Sequence, residues 1–226
     1  MTLRFRNRRE AGSHLATLLA AYAHRTDVIV LALPRGGVPV AFEVARALDA
    51  PLDVFVVRKL GVPGHEEFAM GAIASGGVMV LDRGTVAYLS IPNAEVERVA
   101  ADEKAELERR ERAYRSGQPP LDVAGRMVIL VDDGLATGAS MRAAVRALRQ
   151  RNPARIVVAA PVASTEACAA MREEADECVC TSVPEPLFGV GVWYHDFSQT
   201  EDYEVQALLA SARRQQAVAA AGGTEP

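Results

Sequence analysis

The chain contains several short apolar runs that are separated by amphipathic segments. Continuous apolar runs of this kind are typical of strands buried on both faces of a parallel sheet. Helical spacing follows the first run, with Val40, Val44 and Leu48 on one side. The predicted strands are 28–33, 52–57, 127–131, 156–161 and 177–181. The pattern therefore predicts an α/β fold with a doubly wound, mainly parallel sheet flanked by helices.

Three regions depart from this repeat. Residues 60–90 are rich in glycine and hold short β-like pieces at 68–74 and 78–81, which fit a hairpin or a mobile flap. Residues 93–115 form a charge-dense helix with a thin apolar face, which we expect to be mostly solvated or packed on a partner. Residues 183–203 hold prolines, glycines and most of the late aromatic residues, as a small lid would.

These regions suggest a division of the chain. We expect a core at 1–182 that includes the flap 60–90 and the helix 93–115. A hood or lid with a C-terminal helix follows at 183–212, and a disordered tail at 213–226. In open parallel sheets ligands lie at the carboxyl ends of the strands, where both glycine turns of this chain are predicted.

Composition narrows the function classes. The 226 residues carry a net charge of −4, which argues against a nucleic-acid partner because phosphate binding needs a basic face. Arginines 4, 6, 8 and 9 precede an apolar run, but polar residues interrupt that run and no small-residue cleavage site follows, so a signal peptide is disfavoured. We expect an amphipathic helix there, whose inward residues are Leu15, Leu18, Leu19 and Tyr22.

Other features indicate a cytoplasmic protein that does not enter the membrane. No apolar stretch reaches the roughly 20 residues that span a bilayer. The three cysteines are Cys168, Cys178 and Cys180, an odd number that suits reduced thiols. Cys178 and Cys180 share one face of a predicted strand, and without a nearby histidine we interpret them as buried thiols rather than a metal pair.

The most informative stretch runs from residue 128 to residue 140. A buried strand ends in two adjacent carboxylates, and a loop rich in Thr, Gly and Ser then opens a helix. Backbone N–H groups and hydroxyls in such a loop cradle a phosphate at the helix N-terminus. The carboxylates would instead bind hydroxyl groups or a cation. A sugar phosphate with a free diol could therefore bind the loop through its phosphate and the carboxylates through its hydroxyl groups. The residues after the strand are Asp132, Asp133, Gly134, Leu135, Ala136, Thr137, Gly138, Ala139 and Ser140.

This stretch resembles the phosphoribosyl-pyrophosphate signature of type I phosphoribosyltransferases, in its Ala-Thr-Gly form closest to the adenine type. The resemblance implies that Asp132 and Asp133 hold the ribose hydroxyls and that the residues from Ala136 to Ser140 hold the 5-phosphate. Gly134 stands where the family usually has an apolar residue, which suggests a more pliable loop. A receiver domain of response regulators also places an acidic pair at a strand end, but its third Asp and its Lys are not in register here.

Two further turns match the same family. Leu33-Pro34-Arg35-Gly36-Gly37 is similar to the family's pyrophosphate loop, and the resemblance implies a cis peptide between Pro34 and Arg35. Gly36 and Gly37 allow backbone amides to approach an anion, and Arg35 adds a forked donor. Arg58 and Lys59, which we place at the end of the 52–57 strand, resemble the basic pair that contacts pyrophosphate in adenine-type enzymes. We expect Arg35, Arg58 and Lys59 to converge on one anion.

The resemblance also implies the reaction. A heterocyclic base would displace pyrophosphate from phosphoribosyl pyrophosphate, with Mg²⁺ arriving on the substrate's pyrophosphate and no metal site built into the protein. Catalytic roles fall to Arg35, Lys59 and Asp133, and a homodimer is expected. A sensor that binds phosphoribosyl pyrophosphate or a nucleotide without catalysis is the alternative.

Two assignments rest on weaker patterns. Ala136 stands where hypoxanthine-guanine enzymes have an Asp, so proton handling at the base would fall to the flap, where His65, Glu66 and Glu67 are the nearest titratable residues. Base stacking would come from the lid, whose aromatic residues are Phe188, Trp193, Tyr194 and Phe197. Trp193 is the first choice for that contact, with a small lid core as the other interpretation.

Overall fold

A five-stranded parallel sheet forms the centre of the molecule. The computed structural model describes residues 4–222, and leaves the side chains of 66, 67 and 219–222 undescribed. The strands of this sheet are β1 (Val28–Ala32), β2 (Leu52–Val54), β6 (Met127–Val131), β7 (Arg155–Val162) and β8 (Glu177–Ser182). They lie in the order β2-β1-β6-β7-β8, and every neighbouring pair is parallel. The predicted α/β class with a mainly parallel sheet is therefore confirmed.

A second, antiparallel sheet extends from residue 57 to residue 81. Its strands are β3 (Val57–Val62), β4 (His65–Ala74) and β5 (Val78–Leu81), in that order. The flap of the sequence analysis is thus a three-stranded sheet rather than a single hairpin. The predicted strand 52–57 is divided, because β2 ends at Val54 and the chain crosses into β3 at Val57.

Helices cover both faces of the parallel sheet. Within residues 4–222 they are α1 (Arg8–Leu18), α2 (Gly37–Leu48), α3 (Arg83–Tyr88), α4 (Asn93–Arg115), α5 (Ala139–Arg149), α6 (Thr165–Glu174) and α7 (Asp202–Gly222), with short 3-10 helices at Ala20–Tyr22 and Val190–Trp193. The strand β1 shows why two layers form, because all five of its residues are buried. Its residues 28, 30 and 32 face one apolar cluster and 29 and 31 face the other, as the alternation of a strand requires.

Several helical expectations need correction. Leu15 and Leu19 of the N-terminal segment are buried as expected, but Leu18 is exposed. Helix α4 is not merely solvated, because its Arg115 forms an ion pair of 3.0 Å with the buried Asp53. A buried pair of this kind fixes the helix on the core, since either charge alone would be costly there.

The C-terminal helix belongs to the core rather than to the lid. The buried residues of α7 are Val205, Leu208, Leu209 and Ala212, and they join the same apolar cluster as α2 and the central strands. Helix α7 also continues to Gly222, so the expected disordered tail at 213–226 is wrong for residues 213–222. Residues 223–226 lie outside the described part of the chain. None of the helices in the described part combines the length and apolar character needed to cross a membrane.

Candidate active site at the carboxyl edge of the sheet

The acidic pair lies where the parallel sheet ends. Strand β6 is buried and delivers Asp132 and Asp133 directly after Val131. The Asp132 side chain accepts a hydrogen bond of 2.8 Å from the backbone N–H of Asp133. Asp133 Oδ2 accepts one of 2.8 Å from Nε of Arg8, and the Asp133 carbonyl accepts one of 2.6 Å from the Tyr194 hydroxyl. Helix α1 and the lid thus both hold Asp133 in place.

The glycine turn after β1 lies against this pair. A Cβ atom on Gly36 would stand 2.0 Å from Asp133 Oδ2, and one on Gly37 would stand 2.8 Å from the Val131 carbonyl oxygen. Real Cβ contacts are essentially never that short. Both positions therefore need glycine, because the backbone of the turn after β1 passes directly beside the end of β6 and its acidic pair. Strands β1 and β6 pair along their whole length, which brings the two loops together.

The peptide between Pro34 and Arg35 is cis, which confirms that prediction. The Arg35 side chain turns toward the start of α7, where its Nη1 lies 3.4 Å from Asp202 Oδ1 and 3.8 Å from Glu201 Oε2. The Tyr114 hydroxyl donates to the same Asp202 at 3.0 Å. Burial, followed by this bond to Asp202, raises the pKa of Tyr114 to about 12. In the ligand-free protein Arg35 is therefore paired with acidic side chains. An anion that binds Arg35 would take the place of these partners.

The loop after the acidic pair presents backbone N–H groups at the start of α5. Gly138 adopts a left-handed conformation with φ of 70° and precedes the first helical residue, Ala139. Ser164 Oγ donates to the Ala136 carbonyl at 2.7 Å, and the N–H of Ala139 approaches Thr137 Oγ1 at 3.3 Å. Ala136, Thr137, Ala139 and Ser140 are exposed. The first turn of a helix has N–H groups without intrahelical partners, so this loop can bind an anion.

Gly134 and Leu135 have structural roles in this loop. Leu135 is 2 % exposed, and its N–H donates to the Val162 carbonyl at 2.9 Å. A Cβ atom on Gly134 would stand 2.4 Å from Cγ1 of Val190 in the lid. The glycine that departs from the family pattern is thus explained by close packing against the lid, while the expectation of a more pliable loop stays a prediction.

We expect Gly134→Ala to lower the free energy of unfolding by about 1–3 kcal/mol, because the new methyl group would overlap Val190. Thermal or denaturant unfolding measures this loss. In a Val190→Ala protein the overlapping methyl groups are absent, so adding Gly134→Ala to that protein should cost little further stability. A Gly134→Ala protein as stable as the wild type would show that the lid does not pack this tightly.

Burial shifts the acidity of both carboxyl groups. Burial and then the neighbouring Asp133 carboxylate raise the pKa of Asp132 well above its ordinary value of 3.8. Burial also raises the pKa of Asp133, while the hydrogen bond and charge of Arg8 oppose that rise. Ionising this pair is costly in the ligand-free protein. Hydrogen bonds donated by the hydroxyl groups of a ligand would stabilise the ionised carboxylates.

This shift predicts a pH dependence of stability. The folded protein keeps the Asp132 proton to a higher pH than the unfolded chain does, so stability falls as the pH rises from 3.8 through the raised pKa. Asp132→Asn removes that loss, and we expect it to stabilise the ligand-free protein at pH 8 but to change its stability little near pH 4. Denaturant unfolding at both pH values, with the exposed Asp122→Asn as control, tests this. Equal effects at the two pH values would contradict it.

The basic pair is placed differently from the prediction. Arg58 and Lys59 do not end a parallel strand but lie on β3, opposite Ile73 and Ala72 of β4. Arg58 Nε forms an ion pair of 2.6 Å with Glu103 of α4. Successive residues of a strand face opposite sides of the sheet, so the two side chains diverge. Their convergence with Arg35 on one anion stays a prediction.

The lid aromatics form a small core. Trp193 is 9 % exposed and packs with Phe5, Val162 and Tyr194, which corrects its proposed role as a stacking platform. Its buried Nε1 has no hydrogen-bond partner among the described residues. Phe197 lies 3.9 Å below the Arg8 guanidinium.

Other flap and lid residues are more open. Phe188 is 87 % exposed, which leaves it as the free aromatic face of the lid. His65 is exposed at the start of β4. The side chains of Glu66 and Glu67 lie outside the described residues, so the proton-handling assignment stays a prediction.

Sequence reasoning missed Arg8. It touches Asp133, the Ser198 carbonyl at 2.6 Å and the Phe197 ring, and so joins the N-terminus, the acidic pair and the lid. The arginines at the N-terminus are visible in the sequence, but nothing in their spacing links one of them to a carboxylate 125 positions away. The partners of Arg35 at residues 201 and 202 were missed too, because they lie 166 and 167 positions away in the chain.

Comparison with known proteins agrees with this geometry. Residues 6–196 match the family described as "Phosphoribosyl transferase domain". The chain is 44 % identical over 217 residues to the Mycobacterium tuberculosis H37Rv protein named "Putative phosphoribosyl transferase Rv0571c". That alignment covers 96 % of this chain and 49 % of the relative, so the chain spans about half the length of the curated relatives it matches.

Solved structures show the same fold. TT1426 from Thermus thermophilus is 47 % identical with a TM-score of 0.82, and the match covers 92 % of this chain and 98 % of that one. A Neisseria gonorrhoeae protein solved with bound ppGpp shares the fold at 14 % identity and a TM-score of 0.50, over 94 % of this chain and 99 % of that one. With its parallel sheet and the acidic pair at the sheet edge, the chain belongs to the phosphoribosyl transferase domain family and has the type I fold.

Proposed function

We propose that this domain transfers the 5-phosphoribosyl group of phosphoribosyl pyrophosphate to a nitrogen of a nucleobase or related heterocycle. One observation carries the proposal. Asp132 and Asp133 lie between two backbone-rich loops, the Gly36–Gly37 turn in contact with them and the 136–140 loop that follows them. A ribose with phosphates on both sides needs this arrangement of two anion sites around a diol-binding pair.

Each part of the site would bind a different part of phosphoribosyl pyrophosphate. The 136–140 loop would hold the 5-phosphate, and the carboxylates of Asp132 and Asp133 would accept hydrogen bonds from the ribose hydroxyls. The amides of the Gly36–Gly37 turn and the Arg35 guanidinium would hold the pyrophosphate. In the reaction the bond from ribose C1 to the pyrophosphate oxygen breaks, a bond from C1 to the base nitrogen forms, and pyrophosphate leaves with the bonding electrons. The donors at Arg35 would stabilise the negative charge that grows on the leaving group.

Magnesium fits this site as part of the substrate. A protein-built Mg²⁺ site needs several free hard oxygen ligands, whereas Asp133 is already paired with Arg8 and both carboxyl groups have raised pKa values. The ion would therefore be held mainly by pyrophosphate oxygens and water, where it neutralises leaving-group charge. Residues Asp132 and Asp133 keep their role toward the ribose.

A non-catalytic sensor of phosphoribosyl pyrophosphate or a nucleotide is the second candidate. The observation that favours it is that Arg35 and Arg58 are both paired with carboxylates, at Asp202 and Glu103. A sensor needs the phosphate loop and the acidic pair but no cations that are free for the leaving group.

One experiment separates the two candidates. A thermal-shift screen of heterocyclic bases with phosphoribosyl pyrophosphate and Mg²⁺ would be followed by measurement of pyrophosphate release for each base that shifts the melting temperature. A transferase should release pyrophosphate only with its base present. A sensor should be stabilised by phosphoribosyl pyrophosphate or a nucleotide, without release for any base. If none of these ligands shifts the melting temperature, both candidates are wrong.

A further inference from the structure

The three cysteines of the chain meet in one place. Cys168 lies on α6, while Cys178 and Cys180 lie on β8. Their sulfur atoms are 3.8 Å apart for Cys168 and Cys178, and 3.9 Å apart for Cys178 and Cys180. All three sulfurs lie within 4.8 Å of one another. The sequence indicated only the pair on the strand, and the third thiol is supplied by the helix packed against it.

The position of this cluster explains both its shape and its accessibility. Residues two apart on a strand project from the same face, which brings Cys178 and Cys180 together. Strand β8 is one of the two edge strands of the parallel sheet. Cys168 is 2 % exposed, whereas Cys178 and Cys180 are partly exposed residues, so the strand side of the cluster is the side nearer to solvent.

Two of the three sulfur separations match metal coordination. Three thiolates bound to one tetrahedral Zn²⁺ at about 2.3 Å are separated from each other by about 3.8 Å. A disulfide would need about 2.05 Å between two sulfurs and would leave the third unexplained. Strand alternation alone explains the pair Cys178 and Cys180, which the sequence analysis interprets as buried thiols, but it does not explain the third sulfur, from Cys168.

The local charges also suit thiolates. Arg172 lies one turn after Cys168 on α6. Its positive charge would offset the negative charge that three thiolates bring to one cation.

We propose that Cys168, Cys178 and Cys180 bind one thiophilic d¹⁰ metal ion, Zn²⁺ or Cu⁺, with release of the thiol protons. Three sulfurs complete a trigonal Cu⁺ site, whereas Zn²⁺ would take a solvent molecule as its fourth ligand. The ion would tie α6 to β8. The same helix begins next to Ser164, whose hydroxyl holds Ala136 of the anion-binding loop, so the metal would also support that loop.

Metal titration of the whole reduced protein tests the proposal. Purified protein in a phosphine reductant is titrated with Zn²⁺ and, anaerobically, with Cu⁺, each against a chromophoric chelator. We expect one equivalent of at least one ion to bind, and the chelator competition identifies which ion binds more tightly. Replacing Zn²⁺ with Co²⁺ should give sulfur-to-cobalt absorption in the near ultraviolet.

Variants decide whether the thiols are the ligands. Cys168→Ser, Cys178→Ser and Cys180→Ser should each weaken binding by about 10-fold or more, whereas Thr181→Val on the other face of β8 should not. After removal of the reductant, one equivalent of the bound ion should protect all three thiols from a disulfide reagent. Absence of a bound equivalent, or binding that survives each serine change, would overturn the proposal whether or not the domain is a transferase.

Discussion

Replacing Asp132 and Asp133 together with asparagine should weaken binding of phosphoribosyl pyrophosphate by about 10-fold or more. Asparagine keeps the size of each side chain but loses the charge that makes a carboxylate a strong acceptor for ribose hydroxyls. The Arg8 side chain would also lose its ionic partner at 2.8 Å. Isothermal titration with phosphoribosyl pyrophosphate and Mg²⁺ measures the effect.

The double variant also separates binding from folding. Burial raises the pKa of Asp132, so its neutral replacement should not destabilise the ligand-free protein at pH 8, whereas the change at Asp133 leaves the partly buried Arg8 without its ionic partner. Unfolding of the single variants is therefore measured beside that of the double variant, and lost affinity in proteins that stay folded at the titration temperature assigns the pair to the ligand. Unchanged affinity in the double variant would remove the acidic pair from the binding site and with it the two-loop proposal.

The central sheet could be predicted because its strands are continuous apolar runs. Strands β1 and β6 are fully or almost fully buried, and each is followed by a glycine-containing turn and a helix. In such a sheet the ends of neighbouring strands meet at one edge, so the closeness of Gly36 to Asp133 followed from local patterns and topology.

The basic pair could not be placed in the same way. The apolar run through residues 52–57 does not reveal that the chain leaves the parallel sheet after Val54, because Phe55 and Val56 are buried at the crossing as well. Hydrophobicity reports burial but not the sheet to which a strand belongs. The sequence pattern therefore places Arg58 and Lys59 at the end of a parallel strand, whereas that strand ends earlier, at Val54.

Contacts distant in sequence account for the remaining errors. Arg8 and Asp133 are 125 positions apart, and the reason for glycine at 134 is a valine at 190. Residue type also does not distinguish an aromatic ring that stacks on a ligand from one that fills a small core. Trp193 fills a core, whereas the exposed ring of the lid is Phe188.

Arg35→Ala should lower the rate of transfer by about 100-fold while changing the affinity for ribose 5-phosphate by less than about 3-fold. The reason is position. Arg35 adjoins Gly36, whose Cβ position would lie 2.0 Å from Asp133 Oδ2, so it belongs to the turn beside the acidic pair and not to the 136–140 loop that would bind the 5-phosphate. Its guanidinium would act on the pyrophosphate, where charge develops as the bond to C1 breaks. Ribose 5-phosphate lacks that group and should not report the loss.

The measurement compares three variants with the base identified in the screen. Arg35→Lys keeps a point charge without the forked geometry, so its rate should fall between those of the wild type and Arg35→Ala. Arg214→Ala, an exposed arginine of α7, is the matched control and should change neither quantity. Equal losses in rate and in ribose 5-phosphate affinity would place Arg35 in general anchoring of the ligand. An unchanged rate in Arg35→Ala would mean that the Arg35 side chain serves only its contacts with Asp202 and Glu201. The turn would then act on the ligand through its backbone amides alone.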